Sequence, residues 1–313
     1  MNTRYNEILS YFPQNLRRML GRGMNILEDS LQEIRIRSRL PLILGTTNGN
    51  FTITPEGELS PAVGGAYIVK ESDVRQIFTA ICENSVYAFM EDIKQGFVTI
   101  KGGHRVGIAG RAVNGKGGIE NFREISSLNI RVAREVVGAA NYIIGNIQKD
   151  SGIVNTLIVS PPMGGKTTVL RDLARQISDS GIKTALADDR GELAAIFRGV
   201  PQNDIGLQTD VIENAPKSQA VVMMLRSMSP QLIVTDEIAT KEDIEAVLKC
   251  FGTGVSVIAS THGKSAEEVL KRENLRPLFS DIGFGQIIVL QKEGKGINTK
   301  ILGEVTKIRQ EKR

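Results

Sequence analysis

The spacing of apolar and polar residues changes its period near residue 150. Upstream, short alternating runs dominate. "LQEIRIRSRLPLIL" sets Ile34 and Ile36 against Arg35 and Arg37, a half-buried strand pattern ending near Pro41. "NFTITPEG" predicts another strand running into a Pro/Gly turn. Ser72 suits an N-cap, and "SDVRQIFTAICENSVYAFMEDIKQG" keeps helical spacing through Val74, Ile77, Phe78 and Ile81 as far as Gly96. "GFVTIKGGHRVGIAGRAV" reads as a hairpin turned at Gly102-Gly103, with Val98, Ile100, Val106 and Ile108 as strand cores. "NGKGG" is a second turn and "LNIRVA" a further strand. "VVGAANYIIGNI", Val136 to Ile147, reads as a buried amphipathic helix, too short and too polar for a membrane span. The pattern predicts a smaller α+β domain over residues 1–140.

Downstream, continuous apolar strands alternate with helices: "NTLIVS" then "TTVLRDLARQIS", "TALADD", "KSQAVVMMLRSM" then "QLIVTDE", "KEDIEAVLKC" then "GVSVIASTHG", and finally "GQIIVLQK". Uninterrupted apolar strands separated by helices predict a mainly parallel sheet covered on both faces, an α/β domain over residues 141–313. Right-handed crossovers put the carboxyl ends of such strands on one edge, where ligands bind. Ser160, Asp188, Asp236 and Thr261 stand at those ends.

The chemistry begins at "SPPMGGKTT", Ser160 to Thr168, between a strand and a helix. This is a phosphate-binding loop, or Walker A motif, with serine in place of the first glycine. Gly164 and Gly165 free the backbone to turn its N–H groups inward, and the helix start adds partial positive charge there. Lys166 reaches β- and γ-phosphates, and the Thr167 hydroxyl is a Mg²⁺ ligand. Pro161 and Pro162 stiffen the rising arm, and Met163 and Thr168 complete the cofactor-binding set. Ser160 is small enough for the bend, at some cost in affinity.

The second element, "QLIVTDEI", is a Walker B pattern: apolar residues lead into Asp236, which suits the Mg²⁺ shell, and Glu237, placed to orient or deprotonate water. The third, "ADDRGE", crowds Asp188, Asp189 and Glu192 around Arg190; it either polarises water and the metal's surroundings or is an exposed turn with an N-cap. The fourth, "ASTHG", offers His262 as a γ-phosphate sensor or a structural histidine. Phosphoryl transfer also calls for an arginine, often supplied by a neighbouring subunit. Arg226, Arg105 and Arg111 are the candidates, each of which, taken singly, reads more readily as a surface or structural arginine.

Composition adds little. Hydrophobic residues at 41% and charged residues at 24% are ordinary for a soluble globular chain of 313 residues. Cys82 and Cys250 fit no metal-ligand spacing and read as reduced core thiols. A net charge of +4, partly in the tail "KIRQEKR", permits an anionic partner without demanding nucleic acid. The opening residues, with scattered charges and Pro13, do not read as a secretory leader, so a cytoplasmic protein with no direct membrane span is expected.

Three stretches carry a more specific resemblance: "PPMGGKTTVLRDLAR", the long segment "GVPQNDIGLQTDVIENAPKSQAVVMMLRSMSPQLIVTDEIATKEDIEA", and "STHG". With these, and with "LQEIRIRSRLPLIL" and "GFVTIKGGHRVGIAGR" upstream, nearly the whole chain resembles the stage III sporulation protein AA family of endospore-forming bacteria. The resemblance implies a RecA-like P-loop core related to type II and type IV secretion ATPases. It also implies ATP and Mg²⁺ as cofactors and a hexameric ring. Docking on membrane channel proteins between mother cell and forespore is implied too. "LRSMSPQLIVTDEI" is similar to the segment that precedes the acidic strand in secretion ATPases, which favours Arg226 as catalytic. "ADDRGE" falls where those enzymes carry an acidic box, which favours Asp189. Departures at Ser160, Met163, Asp189, Gly191 and Gln208 point toward a slow enzyme. A RecA-type nucleic-acid translocase and a slowly hydrolysing ring scaffold are the rival readings. No DNA-binding motif, basic-aromatic surface or long basic run supports the former.

Overall fold

An antiparallel sheet and a mainly parallel sheet divide the chain between them. The computed structural model describes residues 3–27, 30–115, 118–162, 164–293 and 296–302. One unit comprises Met1–Arg134 with Ala195–Gln202, the other Glu135–Ala194 with Asn203–Arg313.

The first unit opens with helices α1 (Thr3–Leu9) and α2 (Gln14–Leu27), followed by strands β1 (Leu31–Arg37), β2 (Ile43–Thr46), β3 (Gly49–Ile53) and β4 (Leu59–Ser60). Helices α3 (Glu71–Ile81) and α4 (Met90–Lys94) lead to β5 (Phe97–Ile100), β6 (His104–Gly115) and β7 (Gly118–Arg131). The strand order is β4-β3-β2-β1-β7-β6-β5, each neighbour antiparallel. Alternation in the sequence becomes a row of buried side chains across five strands: Leu44, Ile34, Ile130, Val106 and Val98 are direct cross-strand partners. Helix α2 covers this core with Leu16, Leu20 and Met24, four apart and therefore on one face. Its Gly23 permits the approach, since a Cβ there would lie 2.7 Å from Ile53 Cδ1.

The second unit holds the short helix α5 (Ile144–Ile147), β8 (Gln148–Lys149), β9 (Gly152–Ile153), β10 (Thr156–Ser160), helix α6 (Lys166–Asp179) and β11 (Thr184–Asp188). The hairpin of β12 (Ile196–Phe197) and β13 (Val200–Pro201) leaves this unit and joins the first, where Gln202 Oε1 accepts from Gly102 N at 2.8 Å and Arg198 pairs with Glu83. Then come β14 (Thr209–Glu213), α7 (Lys217–Ser227), β15 (Leu232–Thr235), α8 (Lys241–Gly252), β16 (Ser256–His262), α9 (Ala266–Leu270), β17 (Gln286–Glu293) and β18 (Gly296–Leu302). The order β14-β11-β15-β16-β10-β17-β18 is parallel throughout except for the last pair. Every residue of β10, β11 and β15 is buried, as strands covered on both faces require. Helix α6 buries Val169, Leu170, Leu173, Ala174 and Ile177 against the sheet. Cys82 and Cys250 are free and buried, and burial pushes their thiols up to about 11 and about 12.

The sequence pattern misplaced several local boundaries. "LQEIRIRSRLPLIL" is a hairpin, β1 and β2, turned where Arg39 adopts φ 60°. The helix expected from Ser72 to Gly96 breaks after Ile81, because Glu83 and Asn84 sit in the left-handed region at φ 49° and 64°; a short 3₁₀ turn, Val86–Phe89, precedes α4. Lys70, not Ser72, is the N-cap: Asp73 Oδ2 reaches back to Lys70 N at 2.8 Å and also accepts from Tyr67 Oη at 2.7 Å. "VVGAANYIIGNI" is not a buried helix. Gly138 at φ 84° turns the chain, only Ile144–Ile147 is helical, and Val136 and Val137 are exposed. The tail "KIRQEKR" lies outside the described residues.

The cap assignment has a measurable consequence. Asp73→Ala is expected to cost about 1–2 kcal/mol of stability, while Ser72→Ala stays within about 0.5 kcal/mol, read by chemical denaturation of the two variants. Equal losses would return the cap to Ser72.

Candidate functional site

The carboxyl edge of the parallel sheet collects the polar ends of β10, β11, β15 and β16. At β10, Ser160 is fully buried and its Oγ donates to the Pro161 carbonyl at 2.9 Å, drawing the loop back on itself. Gly164 N donates to the same carbonyl at 3.1 Å. A Cβ on Gly164 would lie 2.0 Å from Ser160 Oγ, so the serine at the bend obliges a glycine four residues on. Gly165 takes φ 86° and serves as the N-cap of α6, a conformation glycine adopts without strain. Val169 N donates to the Gly165 carbonyl as the helix opens, so the amides of Lys166, Thr167 and Thr168 make up its first turn, an anion-favouring end. Met163 lies outside the described residues.

Lys166 Nζ stands 3.3 Å and 3.4 Å from the two ring nitrogens of His262. The same ring places Nε2 3.4 Å from Glu237 Oε1, and Arg190 places a guanidinium nitrogen 3.7 Å from Glu237 Oε2. Burial lowers the Lys166 ammonium from its ordinary range, an effect opposed by the carboxylates of Glu237 and Asp236. Glu237 is fixed through its backbone: its N–H donates to Ser260 Oγ at 3.0 Å, and its carbonyl accepts from Lys217 Nζ at 2.9 Å. Thr235 Oγ1 ties β15 to β11 by donating to the Ala187 carbonyl at 3.1 Å.

Asp188 does not face outward. Its carboxylate accepts three backbone N–H groups, from Glu192, Leu193 and Ala194, each at 2.9 Å, and so folds "ADDRGE" into a tight turn. Burial raises its carboxyl to about 6; the three amides oppose that rise and the charge of Asp236 adds to it. Asp189 and Arg190 are left on the outer side of the turn, half-buried and exposed. Asp236 is buried, which raises its carboxyl, while the Lys217 ammonium pulls the other way. Its Oδ1 accepts no hydrogen bond of good geometry; Lys217 Nζ faces it as an ion-pair partner at 3.1 Å. A buried, under-coordinated carboxylate oxygen beside a threonine-bearing helix start fits Mg²⁺, which takes one or two protein oxygens and completes its shell from phosphate and water. No group of three or more acidic, histidine or cysteine side chains among the described residues could hold a metal ion unaided.

The structure thus brings Lys166, His262, Glu237, Arg190, Asp189 and Asp236 to one edge. It does not bring Arg226 there. Arg226 is exposed in the last turn of α7, about 14 Å of helix beyond Lys217. Arg105 and Arg111 belong to the first unit, paired across strands with Arg131 and Arg123, and Arg105 lies over the Phe97 ring at 4.4 Å. Gln208 precedes β14, at the sheet edge opposite the loop, where its backbone N–H donates to Ser178 Oγ at 2.7 Å. One residue escaped the sequence reading. Lys217, at the first position of α7, is buried with its ammonium between Asp236 and Asp189, the latter at 3.7 Å. A lysine directly after a helix-capping proline, where the helix dipole disfavours a cation, was the available signal.

Fold and edge together define a RecA-like P-loop fold. Two solved structures share the fold. The Legionella pneumophila ATPase DotB is 16% identical, with a TM-score of 0.58 over 94% of this chain and 82% of that one. The pilus retraction motor PilT with bound ADP is 15% identical, with a TM-score of 0.60 over 91% and 84%. Residues 2–312 match the family described as sporulation stage III, protein AA, and the chain belongs to that family. Stage III sporulation protein AA of Bacillus subtilis (strain 168) is 37% identical over 303 residues, 95% of this chain and 94% of that protein.

The buried Asp188 sets a pH dependence. Its raised carboxyl favours the protonated, folded form, so its contribution to stability is complete below the ordinary carboxyl value of 3.8 and is lost as pH rises through about 6. Asp188→Asn, isosteric with the protonated acid, is expected to lose this dependence. The difference in unfolding free energy between the two proteins should change by roughly 2 kcal/mol from pH 4 to pH 7. Parallel pH profiles of the two would refute it.

Proposed function

We propose that the chain binds MgATP on the loop from Ser160 to Thr168 and hydrolyses it. It would act as a motor or assembly subunit of a ring that serves a sporulation channel between mother cell and forespore. One observation carries this reading: Lys166, at a helix start open to anions, and Glu237, at the neighbouring strand end, are linked through the His262 ring at 3.3–3.4 Å. A phosphate chain on the loop would lie against Lys166 and the first-turn amides of α6, which stabilise its negative charge. Asp236 and Thr167 would hold Mg²⁺, which neutralises and orients the terminal phosphates. Glu237, with its backbone pinned on both sides, then orients the attacking water, and its contacts with His262 and Arg190 keep the carboxylate aimed. His262, touching both Lys166 and Glu237, is suited to report whether a γ-phosphate is present. Asp189 acts on the metal's surroundings through Lys217. Arg226, exposed and remote from its own loop, suits donation to a neighbour's nucleotide in a hexameric ring.

Among the described residues no helix is long and apolar enough to cross a membrane. In this reading the ring meets the membrane through channel proteins, and the chain works from the cytoplasmic side. Kinship with the B. subtilis sporulation protein supports the setting.

The test separates binding from hydrolysis. Lys166→Ala is expected to weaken Mg-nucleotide affinity by about a hundredfold in calorimetry. Glu237→Gln is expected to keep affinity within about threefold while lowering phosphate release by about a hundredfold or more. A Glu237→Gln protein that hydrolyses at the parental rate would remove Glu237 from its role. A parental protein that takes up no adenine nucleotide would remove the function.

A further inference from the structure

Lys217 is out of place by every local rule. A buried ammonium is costly, and the first position of an 11-residue helix is where the dipole repels a cation. The site explains it. Nζ stands 3.1 Å from Asp236 Oδ1 and 3.7 Å from Asp189 Oδ2, and donates to the Glu237 carbonyl at 2.9 Å. The Asp236 oxygen it faces is the buried one that lacks a well-formed hydrogen bond. The ammonium therefore neutralises the carboxylate that a divalent cation would need, and it does so without saturating it. The nearby cations Lys166 and Arg190 make their direct contacts with His262 and Glu237, and both also feel the charge of Asp236 from farther off.

We propose that Lys217 is a resident counter-cation that competes with the divalent metal for Asp236. It holds the acidic edge together before nucleotide loads and yields at Asp236 only when phosphate oxygens help to bind the metal, so that metal entry depends on nucleotide. Asp189 and the Glu237 carbonyl retain the ammonium once Asp236 is released, which keeps the lysine buried among acceptors in either state. The proposal rests on the MgATP reading above and adds the group that sets the site's metal requirement.

The experiment uses the full chain and ADP, so that hydrolysis does not enter. ADP uptake is measured by calorimetry across a series of Mg²⁺ concentrations, with a chelator control, for the parental protein, Lys217→Met, Lys217→Gln and Lys217→Arg. Gln retains a donor for the Glu237 carbonyl without the charge. Loss of a neighbouring positive charge should lower the half-saturating Mg²⁺ by about fivefold or more in the Met and Gln variants, while Arg keeps the parental value. Thermal melts provide the second readout: Mg²⁺ alone should raise the melting temperature of Met and Gln and leave the parental protein unmoved. If these variants fold only when Mg²⁺ is present, the metal is replacing the ammonium, as proposed. An unchanged or raised Mg²⁺ requirement overturns the proposal, as does failure of both neutral variants to fold even with Mg²⁺. A parental protein blind to ADP at every Mg²⁺ level overturns both this proposal and the nucleotide reading, and so is distinguished from failure of the lysine alone.

Discussion

Charge taken out of water must be matched by charge of the other sign, and that requirement organises the carboxyl edge of the parallel sheet. Lys166, Arg190 and Lys217 meet Asp189, Asp236 and Glu237 there, directly or through His262. Lys217 and Asp236, the buried pair among them, would not be tolerable at that depth alone, because desolvation outweighs any single contact they make. Asp188 is the exception in kind: its charge is met by three peptide N–H groups instead of a side chain, and the turn behind it is built from that arrangement. The sheet supplies rigidity beneath. Ala187, Thr235, Ala259 and Leu157 lie side by side in adjacent strands, so the groups that follow them emerge in register. A displacement of one strand by one residue would scatter them.

Much of this was legible in the sequence because it depended on patterns of short range. The apolar strands "TLIVS", "TALAD" and "LIVT" are the buried parallel strands their pattern predicts, and the glycine pair before Lys166 stands at a helix start, as its position suggested. What eluded the sequence depended on contacts between distant segments. Lys217 becomes conspicuous only when α7 is folded against the end of β15 and its ammonium finds Asp236. The inward turn of Asp188 follows from a competition between a carboxylate's hydrogen bonds and burial, which side-chain type alone does not decide. Arg226 is a surface residue within its own unit, the plainer of the readings its sequence position allowed.

The boundaries that shifted did so for backbone reasons. Glu83 and Asn84 adopt left-handed conformations that a continuous helical pattern gives no hint of, and Gly138 turns a stretch whose apolar content had suggested a helix. In both places hydrophobic spacing was present but the chain's torsions were not those of a helix. Ser160 shows the converse. A residue that departs from the usual loop pattern is accommodated because Gly164 leaves room for its hydroxyl, so the departure and its remedy are local and paired.

The β12–β13 hairpin has a consequence for how the chain is divided. Its strands lie in sequence between Ala194 and Asn203, inside the stretch that builds the parallel sheet, yet they complete the antiparallel unit. Truncation after Arg134 would therefore strip the leading unit of the Gln202 acceptor and of the Arg198 partner of Glu83. Excising the loop would leave the trailing unit whole in its sheet while damaging the other. Neither piece is a clean excision product, and a protease nick near Gly199 would cut a segment whose ends are anchored elsewhere in the polypeptide.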